Sequence, residues 1–155
     1  MKKIKIYTDG SSRGNPGPGG YGVVLESNGY RKEMSAGFKK TTNNRMELLA
    51  VIIGLEELKN KPSDVIVYSD SKYVVDAVIK NWLFIWEKKQ FKDKKNPDLW
   101  KRFLKIFRVH NVDFIWIKGH NDHMQNERCD YLAVKAALSN KLNGDEFYEK
   151  SQNDK

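Results

Sequence analysis

Four acidic side chains stand at places where carboxylates could do chemistry together. Asp9 follows the alternating run Ile4-Lys5-Ile6-Tyr7-Thr8 and precedes Gly10, which puts it where a strand runs out. Asp70 ends a second such run, with Ile66 and Tyr68 on its own face. If the two strands are parallel neighbours, both carboxylates lie at the edge where open sheets bind ligands. Taken singly, each is also an ordinary strand-end aspartate. Glu47 sits in Met46-Glu47-Leu48-Leu49-Ala50-Val51-Ile52-Ile53, a helix with no clear polar face. A carboxylate there must be paired, metal-bound or neutralised, because burying it alone is costly. The competing reading is a capping box, with Asn44 as N-cap and Glu47 at the third helical position. Asp130 flanks a packed face of Cys129, Leu132, Ala133 and Ala136, in about the first turn of a helix, where the dipole by itself favours an anion.

The stretch Lys118 to Gln125 carries two of the three histidines, His120 and His123. With Cys129 they make a poor structural zinc set, which wants four closed ligands and usually paired cysteines. A histidine in a glycine-led loop suits proton transfer better. His110 follows a helix end and reads as a charge partner for it. Gly17-Pro18-Gly19-Gly20-Tyr21-Gly22 fits G-x-G-x-x-G, but the dinucleotide fingerprint opens a helix and here Val23-Val24-Leu25 continues as strand. The cofactor reading is therefore rejected.

The elements that must position these groups follow from periodicity. Strands are predicted over 3–9, 21–26 and 30–38, with a turn-rich loop over 10–20 and a hairpin turn at Asn28-Gly29. A buried helix spans 44–60 and stops at Lys61-Pro62. A strand over 64–69, a helix over 71–79 capped by Ser71, a short helix over 81–89 and a basic loop over 91–96 follow. Pro97 opens a helix to about Val109, then come a strand over 112–117, a helix over 126–138 and a polar tail over 140–155, expected to be frayed or disordered. Hairpins first and crossovers later imply an α/β fold with a mixed sheet, antiparallel then parallel, covered by helices.

At 155 residues the chain has the length of about one domain. One cysteine excludes an internal disulfide, and the longest apolar run, Leu48 to Leu55, is far below the roughly 20 residues of a bilayer span. With no signal-like start, the expectation is a soluble cytoplasmic protein with no membrane association. The net charge of +8 is concentrated: residues 80–108 hold ten basic and three acidic side chains, leaving +1 for the rest. A near-neutral body with one basic segment suggests a local grip on a polyanion; a solvated lysine-rich loop is the alternative.

Together the motifs resemble ribonuclease H of type 1, in its bacterial single-domain form. The strings are Tyr7-Thr8-Asp9-Gly10-Ser11, Gly14-Asn15-Pro16-Gly17-Pro18-Gly19-Gly20, Thr42-Asn43-Asn44-Arg45-Met46-Glu47-Leu48, Ser69-Asp70-Ser71-Lys72-Tyr73-Val74, Trp116-Ile117-Lys118-Gly119-His120 and Asn126-Glu127-Arg128-Cys129-Asp130, in family order over nearly the whole chain. The resemblance implies a ribonuclease H-like fold with a five-stranded mixed sheet, a domain over 1–139 with a basic protrusion over 80–96, and a polar tail beyond. It implies Asp9, Glu47, Asp70 and Asp130 as catalytic metal ligands for two Mg²⁺ ions, with Mn²⁺ as a substitute, and His120 as a catalytic proton-transfer or product-release group. The implied partner is an RNA–DNA hybrid, bound by a monomer that hydrolyses its RNA strand to 5′-phosphate and 3′-hydroxyl ends. Asn15, Asn43 and Asn44 match minor-groove contacts, where an amide can read the 2′-hydroxyl as donor and acceptor. Thr42 matches a position near a phosphate of the DNA strand. Lys72, Trp86, Lys88 and Lys89 complete the implied substrate-binding set; Trp82 reads rather as a packing partner of Trp86. Lys72 stands where many bacterial members have glutamine, Ser12 replaces a frequent cysteine, and the stretch 91–100 is several residues short.

Overall fold

The computed structural model describes residues 3–118 and 124–153. His120 and His123 lie outside them. Alternation in the first forty residues builds three long antiparallel strands, β1 (Ile4–Ser12), β2 (Gly17–Ser27) and β3 (Tyr30–Thr41). Asn28 and Gly29 both take positive φ, as a two-residue hairpin turn requires. Then come α1 (Asn43–Glu56), β4 (Asp64–Ser69), α2 (Lys72–Ile79), α3 (Trp82–Lys88), α4 (Pro97–Phe107), β5 (Asn111–Trp116), α5 (Met124–Ala137), β6 (Leu142–Asn143) and α6 (Glu146–Asn153).

The sheet has six strands, not five, in the order β5-β4-β1-β2-β3-β6. The sixth comes from the polar tail, which pairs parallel with Gly37 and Phe38 of β3 instead of fraying. A buried ion pair explains the difference: Asp145 accepts from Nε and Nη2 of Arg45 at 2.8 and 2.9 Å, and α6 follows directly. The expected loop over 10–20 is mostly strand as well, because Gly10 to Ser12 pair with Tyr21 to Gly19 and only four residues turn. The G-x-G-x-x-G glycines lie entirely within β2.

Two glycines set the depth of the layers. A Cβ on Gly10 would lie 2.3 Å from the Met46 carbonyl carbon of α1, and one on Gly22 would lie 2.3 Å from the Cys129 oxygen of α5. Gly22 pairs with Asp9, the neighbour of Gly10, and adjacent strand residues face opposite sides. So α1 and α5 cover opposite faces of the sheet, each in backbone contact with it. The core lies on the α1 side, where Met46, Leu48, Val51, Ile52 and Leu55 meet Ile6 and Val23, with Trp100 and Phe103 of α4 behind. As its composition predicts, α1 is buried nearly all round, but it ends at Glu56, short of Lys61-Pro62. His110 is no charge partner: it is buried, its Nδ1 accepts from Ser63 N at 3.0 Å, and burial with nearby Lys61 lowers its pKa.

Candidate active site

Strand β1 pairs with β4 only from Ile4 to Tyr7, then continues beside β2 alone. Asp9 is thus inside a strand, not at its end, yet it stands just where the two parallel strands part. Asp70 follows the last residue of β4. The Ser69 hydroxyl accepts from Ser71 N at 3.1 Å and Ser71 caps α2, which holds Asp70 in a tight strand-to-helix turn. Trp116 Nε1 donates to the Asp70 carbonyl at 3.2 Å.

Glu47 reaches the same place from the other layer. The N-cap of α1 is Thr42, whose hydroxyl accepts from Arg45 N at 3.2 Å. The third helical residue is therefore Arg45, so the Asn44–Glu47 capping box is not formed, and Glu47 sits in the second turn with its carboxylate available for other work. Close contact of α1 with Gly10 brings that carboxylate against β1: oxygens of Asp9, Glu47 and Asp70 all lie within 4.8 Å of one another. Asp130, in the second turn of the described part of α5 rather than at a helix end, lines the same cleft of about 420 Å³, together with Asn43, Asn44 and Lys72.

The electrostatics of this cluster are unfavourable without a cation. Asp9 is 4% exposed. Its burial, the charges of Asp70 and Asp130, and a side-chain hydrogen bond with Asp130 push its pKa up to about 8, against a lowering bond from Gly10 N at 2.9 Å. Burial and the charges of Asp9 and Asp70 raise Glu47 well above the usual carboxylate range. Glu47 Oε2 is buried with no hydrogen-bond partner. An orphaned carboxylate oxygen among three converging acids is the donor set of a hard divalent cation. Cys129, buried beside it, donates to the Tyr7 carbonyl at 3.2 Å, and burial raises its thiol pKa.

The polar residues expected beside the acids form one wall. The Asn43 side-chain oxygen accepts from Ser12 N at 2.7 Å and from the Ser12 hydroxyl at 3.2 Å, while Asn43 N donates to Asn15 Oδ1 at 3.1 Å. Ser12, read only as a departure from the family, thus ties the β1–β2 turn to the start of α1. Asn44 is exposed on the cleft wall. Lys72 Nζ sits 4.7 Å over the Trp116 ring.

In the basic segment Trp82, expected to pack inward, is the more exposed of the two tryptophans. Trp82 is 44% exposed, with Lys80 above it, whereas Trp86 packs edge-on against Trp100 at 5.8 Å and carries Lys94 Nζ at 4.9 Å from its ring. Glu87 pairs with Arg108 and Asp98 with Arg45, so two of the segment's three acids are spent on arginines. Lys88, Lys89, Lys92 and Lys95 are exposed and make no ion pair among the described residues. Sequence reasoning passed over Arg45, whose signal was available: an arginine in an apolar helix. It is 2% exposed and bonded to both Asp98 and Asp145, joining α1, α4 and the tail.

A mixed sheet between helical layers, with three to four acids where its parallel strands part, defines a ribonuclease H-like protein. The RNase H family model matches residues 1–138, and the chain belongs to that family. It is 58% identical to the ribonuclease H of Desulforamulus reducens over 142 residues, 88% of this chain and 89% of that one. It is 52% identical to the ribonuclease H of Rippkaea orientalis over 153 residues, 96% of this chain and 93% of the relative. Among solved structures it is similar to LC9-RNase H1, a type 1 RNase H with the type 2 active-site motif, at TM-score 0.78 and 31% identity over 97% of this chain and 81% of that one. LC11-RNase H1 in complex with an RNA/DNA hybrid matches at TM-score 0.64 and 33% identity, covering 88% of this chain and all of the other. The chain is a ribonuclease H enzyme.

Proposed function

We propose that this chain hydrolyses the RNA strand of RNA–DNA hybrids, leaving 5′-phosphate and 3′-hydroxyl ends, with Mg²⁺ or in its place Mn²⁺ held by Asp9, Glu47, Asp70 and Asp130, two ions in all. The observation that carries this reading is the buried, unpartnered Glu47 oxygen inside a cluster of acids in which burial and the neighbouring charges raise the pKa values of Asp9 and Glu47. Bound cations supply the positive charge that activates water and stabilises the charge growing on the phosphorus oxygens. Asp9 and Glu47 hold their oxygens in place through the backbone contact at Gly10. Asn15, Asn43 and Asn44 present amides to the sugar edge, and Thr42, whose oxygen accepts the helix cap bond, has its hydroxyl proton to give to a phosphate of the DNA strand. Lys72, Lys88 and Lys89 neutralise backbone charge, and Trp86 braces Lys94 for the same purpose. His120 moves a proton or assists product release.

The domain over 1–139, with its protrusion over 80–96, is extended by β6 and α6 of the tail, and the enzyme works as a cytoplasmic monomer. No helix among the described residues is long and apolar enough to cross a membrane. The test is a substrate panel of hybrid, single-stranded RNA, duplex RNA and duplex DNA, with end analysis of the products. Cleavage confined to the RNA of the hybrid, with 5′-phosphate ends, is expected; cleavage of single-stranded RNA or of duplex DNA at a similar rate contradicts the reading.

A further inference from the structure

Strand β5 runs parallel to β4 and pairs with it to the last residue, Ser69 against Trp116, after which Ile117 N donates to the Ser69 carbonyl at 2.9 Å. At Ser69 β4 stops, and the chain turns through Asp70 and Ser71 into α2. Trp116 therefore stands beside that turn and touches it twice, with different parts of one indole. Its Nε1 donates to the Asp70 carbonyl at 3.2 Å, and its face carries Lys72 Nζ at 4.7 Å from the ring centroid. The indole is 39% exposed, on an edge strand, and is not among the residues of the core. Its place is decided by the cleft and not by burial. Lys72 lines that cleft, is exposed and makes no ion pair among the described residues. A lysine stem left alone samples many rotamers, whereas an ammonium over an indole face is held and still has donors to give.

Resting on the hybrid-cleavage reading, we infer that Trp116 is a positioning residue for the reaction, with two separable effects. Its N–H fixes the peptide that carries Asp70, which keeps that carboxylate at the point where the acids converge. Its ring face holds the Lys72 ammonium at the rim of the cleft, facing a phosphate of the strand that the acids hold. The first effect bears on metal affinity and the second on substrate affinity, so each can be removed without the other.

The test uses the full chain with Trp116→Phe, Trp116→Leu, Lys72→Gln and the double variant Lys72→Gln/Trp116→Leu. Mg²⁺ affinity is read by titration calorimetry without substrate, and KM on an RNA–DNA hybrid at saturating Mg²⁺. Trp116→Phe loses the N–H and keeps a ring for Lys72. It weakens Mg²⁺ binding by roughly tenfold, as expected for a group that orients a metal ligand, and leaves KM near wild type. Lys72→Gln raises KM and flattens its salt dependence by up to about 0.9 logarithmic units, with Mg²⁺ affinity unchanged. Trp116→Leu weakens Mg²⁺ binding and raises KM by roughly two- to fivefold, the size of an exposed cation–π contact. In the Lys72→Gln background Trp116→Leu raises KM no further. An equal rise in KM with and without Lys72, or Mg²⁺ binding by Trp116→Phe as tight as wild type, overturns the proposal in a chain that cuts the hybrid. Where Trp116→Leu fails to fold, the Mg²⁺ affinity of Trp116→Phe decides alone. A wild-type chain that does not cut the hybrid overturns the reading beneath it.

Discussion

Replacing Asp9 with asparagine should stabilise the metal-free protein while abolishing its activity. Burial, Asp70 and Asp130 move the Asp9 pKa from 3.8 to about 8, so the folded chain binds a proton there that the unfolded chain releases. A raised acid contributes stability that is fully present below about pH 4 and is lost as pH rises through about 8. At pH 7, holding the group neutral costs up to about 4 kcal/mol, at about 1.4 kcal/mol per pH unit above 3.8. Asparagine keeps the shape and has no proton to take up. It keeps an acceptor oxygen for the bond from Gly10 N, and because the wild-type carboxyl is itself neutral at pH 7 that bond changes little. Allowing for relaxation of the neighbouring acids, the expected gain is about 1–3 kcal/mol, or roughly 3–10 °C in Tm for a domain of this size. The assay is thermal unfolding in chelator at several pH values, repeated with Mg²⁺. The variant should melt higher than wild type at pH 7–8 and show little difference near pH 4. Wild type should gain stability from Mg²⁺ by mass action, and the variant should gain less. An Asp9→Asn protein that melts at or below wild type at pH 8 in chelator, or that responds equally to Mg²⁺, would refute the argument.

Other perturbations probe the supports of the site. Gly10→Ala forces a Cβ to within 2.3 Å of α1, and displacing the helix withdraws Glu47; activity should fall about a hundredfold and stability by about 1–3 kcal/mol, read by single-turnover cleavage and urea unfolding. Arg45→Leu leaves Asp98 and buried Asp145 without their shared cation and should cost about 3–5 kcal/mol, with faster amide exchange in β6 and α6 than in β1. Replacing Lys88, Lys89 and Lys92 together by alanine should raise KM and flatten its salt dependence by up to about 0.9 logarithmic units for each phosphate no longer neutralised. An unchanged KM at low and moderate salt would leave the lysines as a solvated loop.

Much of this architecture was legible in the residues. Alternation placed five strands and the Asn28-Gly29 turn, and the apolar run around Glu47 marked a buried helix. What stayed hidden depended on partners far away in sequence. The continuation of β1 past Gly10 exists because β2 pairs with it, and glycine-rich strands read locally as turns. The capping box over Asn44–Glu47 was a sound local pattern, displaced when Thr42, two residues earlier, took the cap. The tail, polar by composition, is ordered by one arginine a hundred residues away. Trp82 and Trp86 share a spacing, and only the position of Trp100 decides which of them packs inward. For the acids, motif order identified the residues, while the common point of convergence needed the parting of β1 and β4.

The central claim is that these converging acids hold divalent metal for hybrid cleavage. It is tested most directly by single-turnover cleavage of an RNA–DNA hybrid across a Mg²⁺ titration, with Asp70→Asn beside wild type and hybrid binding measured in parallel. Wild type should cut only with metal, and Asp70→Asn should bind the hybrid nearly as well while failing to cut it. Retained turnover in Asp70→Asn, or cleavage by wild type in excess chelator, would contradict the account.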